Sequence, residues 1–233
     1  MDKTLHGKWA LVTGSSRGIG QQIAMGLAQH GCNIILHARE IQHCSQTLQR
    51  LARFDICSFV VGAVLGNQEQ EKAMVDAVIE RTGQLDILYN NAAIMSPWHE
   101  RLCQFSMHEW RQLFEINFFA PVRLCDAFYP GMQERQWGRI VNLVTGMQNT
   151  PQLVPYSAAK AALEKYTYEL AVELKHSNVL VNALDPGWLK TDLGGPDADL
   201  AVETVLPGAL EPVLQGDFAK TGQLFKAQDY RSA

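Results

Sequence analysis

Short, nearly continuous apolar runs recur along this chain, separated by longer segments in which apolar residues return every three or four positions. The runs are Trp9 to Val12, Asn33 to His37, Ser58 to Val64, Asp86 to Tyr89, Gly138 to Val144, Leu180 to Leu184 and Gly222 to Lys226. A strand wetted on one face alternates apolar with polar residues, and these do not. The pattern therefore predicts strands buried on both faces, in a parallel sheet between two layers of helix. Of the intervening segments, Ile19 to His30 is amphipathic and closes at Gly31, a C-cap residue. The segments Met107 to Met132 and Tyr156 to Lys175 carry Phe118, Phe119, Phe128, Tyr129, Tyr166 and Tyr168 on more than one face. Helices apolar around so much of their circumference need cover on more than one side. A partner subunit could cover the second face, so a homo-oligomer is expected.

At 233 residues the chain can build one substantial α/β core. Pro, Gly and Ser are scattered through short turns, and no repeat or low-complexity run divides the sequence. Residues 1–233 are thus expected to form a single α/β domain, doubly wound, with a parallel sheet of about seven strands and helices on both faces. With 20 basic against 24 acidic residues, and no clustering of the basic ones, the chain offers no field for nucleic acid. The stretch Met1 to Lys8 is polar and no apolar run approaches the ~18 residues of a membrane span, so no membrane partner is expected and the cytoplasm is the default location. Cys32, Cys44, Cys57, Cys103 and Cys125 are odd in number and lack CxxC spacing, and read as reduced thiols. The histidines show no HExxH pattern; His37, His99 and His108 read as ordinary polar positions, and no metal is expected.

Two motifs add chemistry to this frame. Thr13 Gly14 Ser15 Ser16 Arg17 Gly18 Ile19 Gly20 follows the first apolar run and opens the first amphipathic segment. Strand, glycine turn and helix in that order suit a dinucleotide: glycines let the backbone approach the pyrophosphate, and the helix N-terminus presents free N–H groups to it. The spacing is GxxxGxG, not the standard GxGxxG, and an ordinary glycine turn is the alternative. The second motif, Tyr156 Ser157 Ala158 Ala159 Lys160, puts a phenol and an ammonium at i and i+4, on one helix face. There the cation favours the tyrosinate and lowers the phenol's pKa, as a general acid for a carbonyl oxygen requires. A snorkelling surface pair is the plainer reading of the same spacing.

Together these residues make the chain resemble the classical short-chain dehydrogenase/reductase family, from Lys8 to Phe225. Asn90 Asn91 Ala92 Ala93 is similar to the family's NNAG, with Ala93 replacing the glycine. Asn117 sits at the family's catalytic asparagine, Ile140 to Thr145 ends the strand that delivers the catalytic serine, and Asp185 to Thr191 is similar to the PGxxxT loop. The resemblance implies a Rossmann-type fold and a hydride moved between a nicotinamide and a small neutral carbonyl or alcohol. It assigns Tyr156 as proton donor, Lys160 as the cation that lowers its pKa and holds the nicotinamide ribose, and Asn117 as the carrier of a relay water. Thr145 would donate its hydroxyl to the substrate oxygen in place of the usual serine, with Thr150 as the alternative. Cofactor contacts fall at Gly14, Ser16, Arg17, Gly18, Ile19, Gly20, Arg39, Asn90, Tyr156, Lys160 and Thr191.

By the same resemblance, Ala38 stands where an NAD enzyme carries an acid for the ribose 2′-hydroxyl. Arg39 follows it, and Arg17 lies where a second cation is often found, so NADP(H) is expected over NAD(H). Glu40 is the competing acid. Two departures bear on the cofactor: Val61 to Leu65 lacks the aspartate that binds adenine, and Ala93 adds a Cβ near the cofactor path. Met95, Ser96, Pro97, Trp98, Met147, Gln148, Asn149, Trp188, Leu189 and Leu193 are candidate pocket walls, apolar on balance and without a convergent cation, which argues for a neutral aldehyde or ketone. Trp188 reads equally as packing. Gly194, Gly195 and Pro196 predict a mobile, open site, and the run Pro186 to Pro196 is similar to the family's carbonyl reductases. The rival reading is a sensor or scaffold of the same fold that binds NADPH with weak or no turnover, for which Thr145, Ala63 and Ala93 leave room. Epimerisation on the extended form of the fold is disfavoured by the short C-terminal region.

Overall fold

The computed structural model describes residues 4–231. Strands β1 (Trp9–Val12), β2 (Asn33–Ala38), β3 (Ser58–Gly62), β4 (Ile87–Asn90), β5 (Gly138–Leu143), β6 (Val179–Asp185) and β7 (Leu224–Lys226) form one sheet. Their order is β3-β2-β1-β4-β5-β6-β7, parallel at every pairing. Each predicted run is a strand, with its bounds moved by a few residues. The third is shorter than expected because pairing with β2 ends at Ala38 and Gly62, and Val64 is exposed beyond it.

The continuous apolar runs follow from burial on both faces. Alternate residues of one strand enter two separate cores: Ala10 and Val12 one, Leu11 the other; Ile34 and Leu36 one, Ile35 the other; Ile87 and Tyr89 one, Leu88 the other. The first core is closed by α1 (Gly18–Gln29), through Ile23, Leu27 and their neighbours. After the short α2 (Ser45–Leu51), the second core is closed by α3 (Gln68–Thr82) and by helices later in the chain.

The segment expected as one helix from Met107 to Met132 is interrupted. It opens as α4 (Met107–Phe114), where Ser106 and Glu109 form a reciprocal capping box, widens into a π turn over Glu115–Phe119, and resumes as α5 (Ala120–Glu134). The following α6 (Val154–Glu173) starts two residues before Tyr156. A short α7 (Glu211–Leu214) precedes β7. Among the described residues no helix is long and apolar enough to cross a membrane.

The strand order reverses between β1 and β4, so the chain leaves the sheet in opposite directions there and opens a crevice at the C-terminal ends of those strands. The glycine turn after β1 and the Asn90–Ala93 stretch after β4 both lie at this crevice.

Candidate active site

The glycine turn is held by a set of hydrogen bonds that leaves little freedom. Gly14 has φ +64°, which favours glycine, and a Cβ on Gly20 would lie 2.4 Å from the Gly14 carbonyl oxygen and 2.5 Å from Nδ2 of Asn91. Asn91 Nδ2 donates to the Thr13 and Gly14 carbonyls (2.7 and 3.1 Å), while the Asn91 and Ala92 amides donate to the Thr13 hydroxyl (both 3.0 Å). From the other side comes His37. Its Nδ1 accepts from the Gly14 amide (3.1 Å), and its Nε2 meets the Ala63 carbonyl (3.1 Å). This requires the neutral ring with its proton on Nε2, and burial lowers the His37 pKa from 6.5 to about 4. Far from an ordinary polar position, His37 ties the glycine turn to the end of β3. The sequence signal was a lone imidazole in an otherwise apolar run.

This cradle fits a dinucleotide phosphate. Arg17, the residue before α1, makes no side-chain cap and the first turn holds no acid, so the helix N-terminal amides face the turn without a protein anion. Gly18, Ile19 and Gly20 form that first turn, and Thr191 packs over Gly18, where a Cβ would lie 3.4 Å from the threonine methyl. Arg17 is turned elsewhere than expected: its Nε pairs with Asp192 at 2.7 Å, across to the loop after β6. Both side chains are largely exposed, so the pair is weak and easily exchanged. Arg39 is exposed just past β2, and the exposed Glu40 carboxylate accepts a hydrogen bond from Gln42, with His43 Nε2 3.8 Å away.

Asn90 Nδ2 points into the core and donates to Asn142 Oδ1 (2.8 Å), and Asn142 Nδ2 in turn donates to the Thr167 hydroxyl (2.9 Å). A buried polar chain thus joins β4, β5 and α6 through Asn90 Nδ2, while Asn90 Oδ1 is buried without a partner among the described residues. The neighbouring Asn91 does the work on the glycine turn.

Tyr156 and Lys160 are both buried, at 7% and 2% exposure, which excludes the snorkelling surface pair. Lys160 Nζ donates to the Leu143 carbonyl (2.7 Å), pinning α6 to the end of β5 two residues before Thr145. Burial brings the Lys160 pKa from 10.5 down to about 8. The Tyr156 phenol is pushed up to about 12, first by burial and then by the Asp185 carboxylate. This shift runs opposite to the lowering that the i, i+4 spacing predicts, because burial and then the Asp185 carboxylate disfavour the tyrosinate. Thr145 Oγ1 accepts from the Met147 amide (3.2 Å), which aims the oxygen and leaves the hydroxyl proton to donate. Thr150 instead donates to the Gln148 carbonyl (3.3 Å), so it is the poorer donor candidate.

Asn117 lies in the π turn and is fully buried. Its amide clamps the backbone of Ile94, accepting from the nitrogen (3.0 Å) and donating to the oxygen (2.9 Å). The clamp uses one lone pair of Oδ1 and one N–H of Nδ2, which leaves the remaining amide capacity, and a main chain whose carbonyl ladder the π turn disturbs, for a relay water. The loop after β6 carries internal hydrogen bonds: the Lys190 amide donates to the Leu200 carbonyl (2.8 Å), Trp188 to the Gly194 carbonyl (2.8 Å), and the Gly194 amide to Thr191 (3.0 Å). Leu189 is buried beneath it and is not a wall, whereas Trp98 and Trp188 are exposed.

Comparison with known proteins agrees with this geometry. The family model of the short chain dehydrogenases matches residues 8–199. The chain is 35% identical over 191 residues to dehydrogenase/reductase SDR family member 4 of Pongo abelii, covering 80% of this chain and 68% of that protein. It is 32% identical over 196 residues to a 3-oxoacyl-acyl-carrier-protein reductase of Aquifex aeolicus, covering 83% and 78%. Among solved structures, a metagenomic short-chain oxidoreductase in complex with NADP superposes with a TM-score of 0.83 at 26% identity, over 94% of this chain and 96% of that one.

Proposed function

We propose that this chain, which belongs to the short-chain dehydrogenase/reductase family, is an NADP(H)-dependent reductase of small neutral carbonyls, or the reverse alcohol dehydrogenase, built as one domain over residues 1–233. The observation that carries the reading is the buried Tyr156 and Lys160 pair, fastened by Lys160 to the strand end that presents Thr145. A module that only binds a nucleotide has no need of a buried acid beside an aimed hydroxyl. Bound NADP(H) would supply or accept the hydride. Tyr156 gives its proton to the carbonyl oxygen, Thr145 donates a hydrogen bond to the same oxygen, and Lys160 holds the ribose and the position of α6. The turn Gly14 to Gly20, with Ser16 and Ile19, and Thr191 hold the phosphates and the carboxamide.

Preference for the 2′-phosphate rests on Arg39, exposed at the end of β2 with Ala38 in place of an acid. Arg17 adds to it by exchanging Asp192 for the phosphate. Oxidation of NADPH and of NADH across a panel of neutral aldehydes and ketones tests the whole reading. NADPH should be favoured by about tenfold or more, the worth of a charge-assisted hydrogen bond, and Arg39→Ala should erase most of the difference. Equal use of the two cofactors would reject the preference, and a panel without turnover would favour the sensor reading.

Thr145→Ser should keep activity, since it keeps the donor, while Thr145→Ala should lower kcat by on the order of 100-fold. Full turnover in the alanine variant would remove Thr145 from the site. The cytoplasm and a homo-oligomer remain our readings for location and assembly. Phe119 and Val172 are exposed on the α5 side and on α6, as an unpaired helical face requires.

A further inference from the structure

Asp185 ends β6, one residue beyond Leu184, which lies in register with Leu143 of β5, so the carboxylate stands beside the strand end that leads to Thr145. One oxygen, Oδ1, accepts from the Gly187 amide at 3.0 Å and fixes the group on the loop after β6. The other is turned the opposite way, toward Gly146: a Cβ there would lie 2.8 Å from Oδ2. The carboxylate therefore fills the notch between the loops that follow β5 and β6, and only glycine at 146 leaves room for it. It is half-buried, and its charge is felt at Tyr156, where it is the second cause, after burial, of the raised phenol. Among the described residues Asp185 forms no ion pair, although Lys226 is its neighbour in register on β7.

We infer that Asp185 is a specificity-determining residue which sets the charge of the substrate, excluding anionic carbonyl compounds and favouring those that carry a cation near the carbonyl. The inference rests on the reductase reading and narrows it. An anion entering the site meets a like charge in a partly water-excluded notch, whereas a cation gains a carboxylate that forms no ion pair among the described residues. Apolar walls without a cation argued only for neutrality; a carboxylate beside the proton donor moves the preference further, toward amines and quaternary ammonium groups.

The experiment compares three matched aldehydes: benzaldehyde, its 4-carboxylate and its 4-trimethylammonium derivative. In the wild type kcat/KM should favour the cation over the anion by about tenfold, a partly solvent-screened like-charge effect, and the ratio should approach one in Asp185→Asn. Asparagine keeps the size and the acceptor for the Gly187 amide, and Asp185→Ser serves as a second variant. A ratio unchanged by both substitutions, or a preference for the anion in the wild type, would overturn the inference. A second readout does not depend on turnover: the dissociation constants of the two charged benzyl alcohols from the enzyme–NADPH complex, which cannot react. If no aldehyde is reduced but the alcohols still discriminate by charge in the wild type and not in Asp185→Asn, the reductase reading fails and the role of Asp185 stands. Equal binding of the two alcohols, or no binding of either, removes that role.

Discussion

Tyr156→Phe is expected to lower carbonyl reduction by at least about 100-fold while NADPH affinity and thermal unfolding stay near wild type. The ring is 7% exposed and keeps its packing in the variant; only the hydroxyl is lost. The direction of the pKa shift adds a second check. Burial and Asp185 hold the phenol up at about 12, so Tyr156 carries its proton throughout the neutral range and the acid needed for reduction is in place. The reverse oxidation needs the tyrosinate, and its rate should climb with pH through the neutral and alkaline range. Full turnover by Tyr156→Phe on a substrate that the wild type reduces would refute the mechanism. An alcohol oxidation that falls with rising pH would refute the assignment of the base.

The strands were legible because burial on both faces leaves an unambiguous mark, an apolar run without alternation, and seven such runs are the seven strands. The glycine turn and the Tyr156 and Lys160 pair were legible for a related reason. Close backbone approach tolerates only glycine, as Gly20 against the Gly14 carbonyl shows, and a helical pair is set by its spacing. What sequence could not show was the partner of each polar group. Asn90 and Asn91 are adjacent, yet one turns into the core and the other onto the glycine turn, because successive residues leaving a strand point to opposite faces. Arg17 has the type expected of a phosphate ligand, but its partner Asp192 lies 175 residues away along the chain and comes near only through the fold. The π turn around Asn117 left no sign in the periodicity, since it inserts into a helix apolar on several faces.

Lys160→Met should separate chemistry from stability more sharply than any other change. It removes the ribose contact and the tether to the Leu143 carbonyl that positions α6 and Tyr156, so kcat and NADPH affinity should fall together, turnover by at least about 100-fold. Stability should not follow. The buried ammonium has its pKa lowered from 10.5 to about 8, so between those values the folded chain holds fewer protons than the unfolded one, and wild-type stability rises with pH across that window. Below pH 8 the full cost of burying the charge is present, about 3 kcal/mol for a shift of this size. Methionine removes that cost and keeps the length of the side chain, but it leaves the Leu143 carbonyl without its donor, at about 1–3 kcal/mol. The balance at pH 7 is a variant as stable as wild type or more stable by up to about 2 kcal/mol, and one whose denaturation midpoint no longer rises between pH 8 and 10. Chemical denaturation of both proteins across that range measures it. A variant that is clearly less stable at pH 7, or that retains the alkaline rise, would mean that the ammonium supports the fold, and that its place under β5 owes more to packing than to catalysis.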